Sequence, residues 1–578
     1  MEDENLSDGG REVTAPLVYQ EALNRQFNDD ITFEGRGRSI SCCKSFDWRA
    51  PGIILGFQCL ESLGFYGITT NLTTYLSSVL RESNALIATR ITTWSGTSYF
   101  TPFLGALIAD SYWGRRRMIV SSSLIYLCGM VVITLSASLR PLKPPPCEGN
   151  SCPSATLVQK IAFYSGLYLI AFGSGGVKSS LLPLGADQFD DENPAERMKQ
   201  GSFFNWFYFC INVGALTSST LIVWIQENVG WAVGYGIASL CMASATVCFL
   251  LAVPIFRVRE PQASPLKRVF QVLVACLHKA NLRSPADSSC LYEVVQDNDF
   301  NIQRTRKLAH TKQFRFLDKA ATMSDLDCKE GSVYSPWRLC TVTQVEELKI
   351  FLRLFPIWVA SIVYSIAYAQ MYTTFVEQGR AMNTKIGCFS IPPASLFACE
   401  VLSVMLWVLI YDMLIAKIAR SYLGGGHGLT QLQRMGIGYF LIILAMAAAA
   451  LVEMKRLKGT QDPKPISILW QLPQYAIVGG SEVFCYIGQL ELFYDQSPDT
   501  MSTAVSLLSI SLGNYLSSVV VAFVAAVTTA GGRPGWIPDD SDEGHLDYFL
   551  WLMAGLSVFN FIAYLACARR FTLKRTVL

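Results

Sequence analysis

The stretch PGIILGFQCLESLGFYGITTNLTTYLSSVL, residues 51–80, holds one charged side chain in thirty residues, Glu61. A helix needs about 20 apolar residues at about 1.5 Å each to cross a bilayer, so this segment is long enough to span one. A carboxylate in hydrocarbon costs about 2.5–3.5 kcal/mol on insertion scales and marks a functional site whose partner has to be found. At helical spacing Gln58, Glu61, Ser62 and Phe65 share one face, which should look inward onto a cavity or another helix.

The rest of the chain reads the same way. Over 578 residues, 51% are hydrophobic and only 16% charged, and the mean hydropathy is +0.31. This is the composition of a polytopic membrane protein rather than a water-soluble one. A formal net charge of +2 and the lack of a basic run interleaved with aromatics exclude nucleic acid as a partner. The expected partners are the lipid bilayer and a small-molecule substrate. The 17 Cys are scattered without paired CxxC spacing, so no metal site is expected. Cys147 and Cys152 sit in a Pro-rich polar loop and are either a disulfide or two free thiols.

Residues 1–48 are polar and read as a cytosolic tail. Apolar segments follow at 51–80, 91–109, 118–137, 158–184, 202–226 and 229–256. Residues 257–345 carry 14 Lys or Arg against 9 Asp or Glu, which places this loop in the cytosol. Six more segments lie at 350–376, 386–411, 435–453, 465–490, 500–528 and 548–568, before a basic tail at 569–578. The expectation is an all-α membrane protein of two six-helix bundles, 49–256 and 346–568, joined by the loop. Within the loop, Leu266, Val269, Phe270, Leu273 and Leu277 recur at helical spacing, giving an amphipathic helix that lies on the membrane or packs on the bundle. The loops at 185–200 and 454–464 run against the charge rule, so orientation rests on the central loop and the C-terminal tail.

Four ionisable side chains lie well inside the spans: Glu61, Lys178, Glu400 and Glu482. They are either internal ion pairs or the lining of an asymmetric polar cavity. The small residues before Lys178, GSGGVK at 173–178, permit close backbone approach and loosen the helix, as expected where a substrate passes. All four His, at 278, 310, 427 and 545, lie in loops, so proton handling within the membrane falls to Glu61, Glu400 and Glu482. No Ser/His/Asp or Cys/His set, metal cluster or phosphate loop suggests an enzyme.

Several motifs carry a resemblance. GALIADSYWGRRR at 105–117 resembles the loop signature of the major facilitator superfamily. FNWFYFCINVGAL at 204–216 is similar to the signature of proton-dependent oligopeptide transporters. GADQFD at 185–190 and GQLELF at 488–493 resemble the plant nitrate/peptide transporter branch, and FVEQG at 375–379 its di- and tripeptide clade. The resemblance covers about residues 48–570. It implies the 12-helix major facilitator fold and a secondary transporter of small peptides with protons as the coupling ion and no other cofactor. Nitrate, a hormone or another metabolite is the alternative cargo, and a non-transporting sensor the alternative role. The implied membrane is the plasma membrane or the vacuolar membrane.

Residue by residue, the resemblance implies that Tyr66, Lys178, Asn212 and Glu482 bind substrate and that Glu61 couples protons. Asp110 and Arg115 would gate the rocking of the two halves. Gln370 and Glu400 join the binding and proton-coupling sets on their polarity inside apolar spans. The family's first-helix motif, Glu-x-x-Glu-Arg, reads Gln58-x-x-Glu61-Ser62 here, with Phe65 and Tyr66 where two tyrosines are usual. One carboxylate then faces one ammonium. The expectation is a Glu61–Lys178 pair and weakened proton coupling.

Overall fold

The computed structural model describes residues 48–145, 153–190, 194–257, 265–280, 310–323, 337–387, 389–411, 429–459, 466–496, 502–530 and 544–571, with a few short pieces between them. The tail before residue 48, the Cys147 and Cys152 loop and the basic residues after 571 lie outside these.

Among the described residues, ten helices are long and apolar enough to cross a membrane: Arg49–Ser78, Arg115–Ser138, Leu157–Ala186, Ser202–Asn228, Trp231–Ile255, Val342–Arg380, Pro393–Ile410, Gln431–Lys458, Val505–Thr528 and Leu546–Arg570. Two less apolar helical segments complete the twelve. One is Asn84–Ile108, the second span. The other, the tenth, is Leu472–Glu482 followed by a π-helical turn, Val483–Ile487, and by Gly488–Gln496. The architecture is all-α, and the one sheet among the described residues is a two-residue ladder pairing Lys385 with Ser390 and Ile386 with Phe389 before the eighth span.

Helix starts follow local chemistry. Thr156 with Gln159, Thr341 with Gln344 and Thr430 with Gln433 form capping boxes at the heads of the fourth, seventh and ninth spans. Each satisfies amide donors that the first turn leaves without partners. Two spans begin earlier than hydropathy suggests. The second starts at Asn84 because Arg90 lies over the Tyr164 ring and pairs with the buried Glu82, so a charged side chain is accommodated within the span. The seventh starts at Val342 because its charged first turns are buried under the central loop.

Each half has its own apolar core, one running from Ala50 to Phe256 and one built mainly from Ile350 to Tyr564. In the first half the packing is close enough to require glycine. A Cβ on Gly173 would stand 2.4 Å from the Tyr126 amide nitrogen, so the fourth span can lie against the third only without a side chain there.

The halves meet on the face opposite the central loop. Among the described residues, the hydrogen bonds that cross between them run from mid-depth outward. Ser511 Oγ donates to the Gly96 carbonyl at 2.7 Å, the Thr97 and Tyr515 hydroxyls lie 2.9 Å apart, Thr93 and Ser518 2.8 Å apart, and Thr73 Oγ1 donates to the Tyr372 carbonyl at 2.7 Å. The seventh, ninth and tenth spans are tied at the same face: Gln378 donates to Glu453 and accepts from Gln471 and Gln474.

The loop helix Pro265–His278 packs on the bundle rather than standing away from it. Val272 and Ala275 are buried with Leu317, Ala320, Ala321, Val345 and Leu348, while Phe270, Leu273 and Leu277 are exposed. An ion cluster fixes this assembly to the seventh span. Lys349 Nζ lies 2.7 Å from Asp318 and 2.8 Å from Glu346, and His310 reaches Asp318 at 3.0 Å. The His310, Asp318 and Glu346 ligand atoms lie within 4.8 Å of one another, but the lysine ammonium holds both carboxylates, so the group is an ion pair network and not a metal centre.

Candidate functional site

Between the halves lies a cavity of about 150 Å³. Its wall includes six tyrosines, Tyr66, Tyr99, Tyr208, Tyr368, Tyr372 and Tyr486, together with Phe397, Asn212, Glu400 and Glu482. Among the described residues, no Lys or Arg lines it.

Three of the expected binding residues, Tyr66, Asn212 and Glu482, meet here, along with Glu400. Glu482 stands immediately before the π-helical turn of the tenth span, a distortion that re-aims side chains and is frequent at functional positions. The Tyr368 hydroxyl donates to its Oε2 at 2.8 Å. Glu400 is buried and its Oε1 has no hydrogen-bond partner. Asn212 donates to the Tyr208 carbonyl at 2.9 Å, which orients its amide from one turn away.

Lys178 and Gln370 are placed differently. Gln370 is fully buried, with its amide donating to Ser517 Oγ at 3.0 Å and to the Ile366 carbonyl at 2.9 Å. It ties the seventh span to the eleventh and does not line the cavity. Lys178 does not pair directly with Glu61, contrary to expectation. Its Nζ sits 3.1 Å from the centroid of the Phe65 ring, and Oε1 of Glu61 has no hydrogen-bond partner. The reason is helical spacing: Phe65 is one turn beyond Glu61, so its ring lies beside the carboxylate and receives the ammonium instead.

The first-span face is turned inward as expected, with Gln58, Glu61, Ser62 and Phe65 all buried. The Gln58 amide donates to Glu61 Oε2 at 3.2 Å and to Ser62 Oγ at 2.8 Å. Gln58 therefore satisfies its own helix. At the loop side of the first half, Arg115 lies 3.3 Å from Asp110 and 2.7 Å from Asp187. Asp110 belongs to a second π-helical turn, Ala109–Trp113, and Gly114, with φ 78°, turns the chain into the third span. Asp187 is the partner sequence reading missed, although it lies inside the GADQFD motif.

The aromatic wall was also missed. Tyr364, Tyr368 and Tyr372 recur at intervals of four, one face of a helix, and that spacing was readable. Tyr368 and Tyr372 line the cavity, while Tyr364 lies behind them, sharing a hydrogen bond with Ser481 at 2.9 Å.

Comparison with known proteins accords with this geometry. The model of the POT family matches residues 116–537. Protein NRT1/PTR FAMILY 8.3 of Arabidopsis thaliana is 51% identical over 570 residues, covering 97% of each chain. Protein NRT1/PTR FAMILY 8.5 of the same plant is 47% identical over 591 residues, covering 100% of both. Among solved structures, an auto-inhibited POT family peptide transporter superposes with a TM-score of 0.66 at 21% identity, covering 91% of this chain and 98% of its own. The POT family transporter PepTSo gives 0.67 at 21% identity, covering 90% and 98%. The two halves around a central cavity, the motifs of the second, fifth and tenth spans and these likenesses converge: the chain belongs to the POT family of membrane transporters, in its NRT1/PTR branch.

Proposed function

We propose that this chain carries small peptides across the membrane together with protons. The observation that carries the reading is the charge of the cavity: two carboxylates line it and no cation does. A carboxylate inside a narrow cavity attracts a cation, and the ammonium end of a peptide supplies one to Glu482, which is half-buried and accepts from Tyr368. Nitrate offers no such group and would enter against two negative charges. In keeping with this, one solved neighbour is a POT family transporter in complex with 5-aminolevulinic acid, which also bears an amino group.

Substrate specificity then rests on Tyr66, Asn212 and Glu482, and proton handling on Glu61, Glu400 and Glu482. The halves are closed opposite the central loop, so release toward the loop side is the step poised in this conformation. Rocking the halves the other way requires the hydroxyl contacts between the second and eleventh spans to part. Asp110, Arg115 and Asp187 hold the loop side of the first half as one piece, the role this reading gives to gating. Gln58 and Ser62 leave Glu61 without the second carboxylate and the Arg of the family motif, so coupling through the first span is weak.

The test is uptake into proteoliposomes of radiolabelled Ala-Ala and of nitrate, with and without a pH gradient. Peptide accumulation that rises with the gradient, and falls at least about tenfold in Glu482→Gln, is the expected result. Nitrate uptake without peptide uptake would overturn the reading.

A further inference from the structure

Glu400 is the cavity residue whose chemistry the reading above uses least. It is 2% exposed, lines the cavity, and its Oε1 has no hydrogen-bond partner. Glu482, by contrast, already accepts from the Tyr368 hydroxyl. One turn before Glu400 on the same helical face stands Phe397. Its ring stacks on Tyr66 at 5.7 Å between centroids and lies 5.4 Å from Tyr372. A carboxylate oxygen with a free acceptor site, on a cavity wall shared with these three rings, receives an ammonium or guanidinium through charge, with cation–π attraction adding to it.

The charge balance points the same way. A zwitterionic dipeptide brings one cation, which Glu482 takes, and one carboxylate, for which the lining offers no cation, because Lys178 rests on Phe65, behind the wall residue Tyr99. A ligand with one additional positive group answers both carboxylates. We propose that Glu400, with Phe397, Tyr66 and Tyr372, forms a second cation-receiving subsite that makes the transporter prefer peptides with a basic side chain. This rests on the peptide reading and names the substrate class within it.

The experiment compares Lys-Ala with Ala-Ala in the purified full-length chain, by competition for uptake and by thermal shift in detergent. Lysine amide and alanine amide are added as probes that need no peptide transport. In wild type, Lys-Ala is expected to compete about tenfold better than Ala-Ala, and lysine amide to raise Tm more than alanine amide does. In Glu400→Gln both differences should collapse to less than about twofold, and Phe397→Leu should reduce them in part. Wild type that treats the two peptides alike and is stabilised equally by the two amides overturns the subsite. So does a Glu400→Gln variant that keeps the preference, since its carboxylate would then not be the group that receives the side-chain cation. If neither peptide is taken up but lysine amide still outperforms alanine amide only when Glu400 is present, the subsite stands and the peptide reading falls.

Discussion

The two halves of this protein each carry two ionisable side chains well inside their spans and treat them in opposite ways. In the first half, Glu61 accepts from Gln58 on its own helix, and Lys178 lies against the Phe65 ring. In the second, Glu400 and Glu482 face the cavity within hydrogen-bond reach of each other, and Glu482 also accepts from Tyr368. The first half holds one negative and one positive group, each turned toward its own half, with Glu61 Oε1 left without a hydrogen-bond partner. The second holds two negative groups and leaves them open. The cavity is lined from both halves, but both of its carboxylates come from the second.

Breaking the first half's packing should have the largest effect. In Gly173→Val the new side chain would meet the Tyr126 backbone, where even a Cβ stands 2.4 Å away. The fourth span is then expected to separate from the third, with loss of the monodisperse peak on size exclusion. Gly52→Ala, which meets nothing within 4 Å, should leave that peak in place.

Phe65→Ala is next. It removes a buried ring and the seat of the Lys178 ammonium, and should cost about 3–5 kcal/mol of stability, read as a fall in Tm. Phe65→Tyr keeps the ring and should cost less than about 1.5 kcal/mol. A Phe65→Ala protein as stable as wild type would show that Lys178 finds Glu61 at no cost, and the two would then form a direct ion pair.

A smaller effect is expected where the halves touch. Tyr515→Phe deletes the contact with Thr97 and removes about 0.5–1.5 kcal/mol from the closed face. That is about a two- to tenfold shift toward the state open on that face, measurable as faster labelling of a cysteine introduced at Tyr372. The smallest effect is the coupling between Glu61 and Lys178. A double-mutant cycle on Glu61→Gln and Lys178→Met should give less than about 1 kcal/mol in Tm-derived stability, whereas breaking a buried direct pair costs about 3–5 kcal/mol.

The twelve spans and their division were legible because hydrocarbon imposes a length and an apolarity that few side chains can evade. What escaped depended on partners far along the chain. Arg90 reads as an interruption until Glu82 and Tyr164 are seen beside it. Glu346, Glu347 and Lys349 read as loop until Asp318 and His310 fold back over them. Within the site, Glu400 and Glu482 stood out as charges in apolar helices, but the tyrosines that surround them are common in membrane spans, and only their joint placement makes a wall. Lys178 stood out as a charge in an apolar helix, but its neighbour did not, because Glu61 and Phe65 share one face and spacing gives no means to rank them.

The docking of the central loop on the seventh span carries a practical consequence. Because Lys349 grips Asp318 from inside that span, a fluorophore attached near residue 316 travels as cargo of the second half. Its distance to a dye on the second–third span turn, at Tyr112, which is 80% exposed, becomes a ruler for the swing of one half against the other. A reporter of turnover can therefore be read in single molecules without touching the cavity.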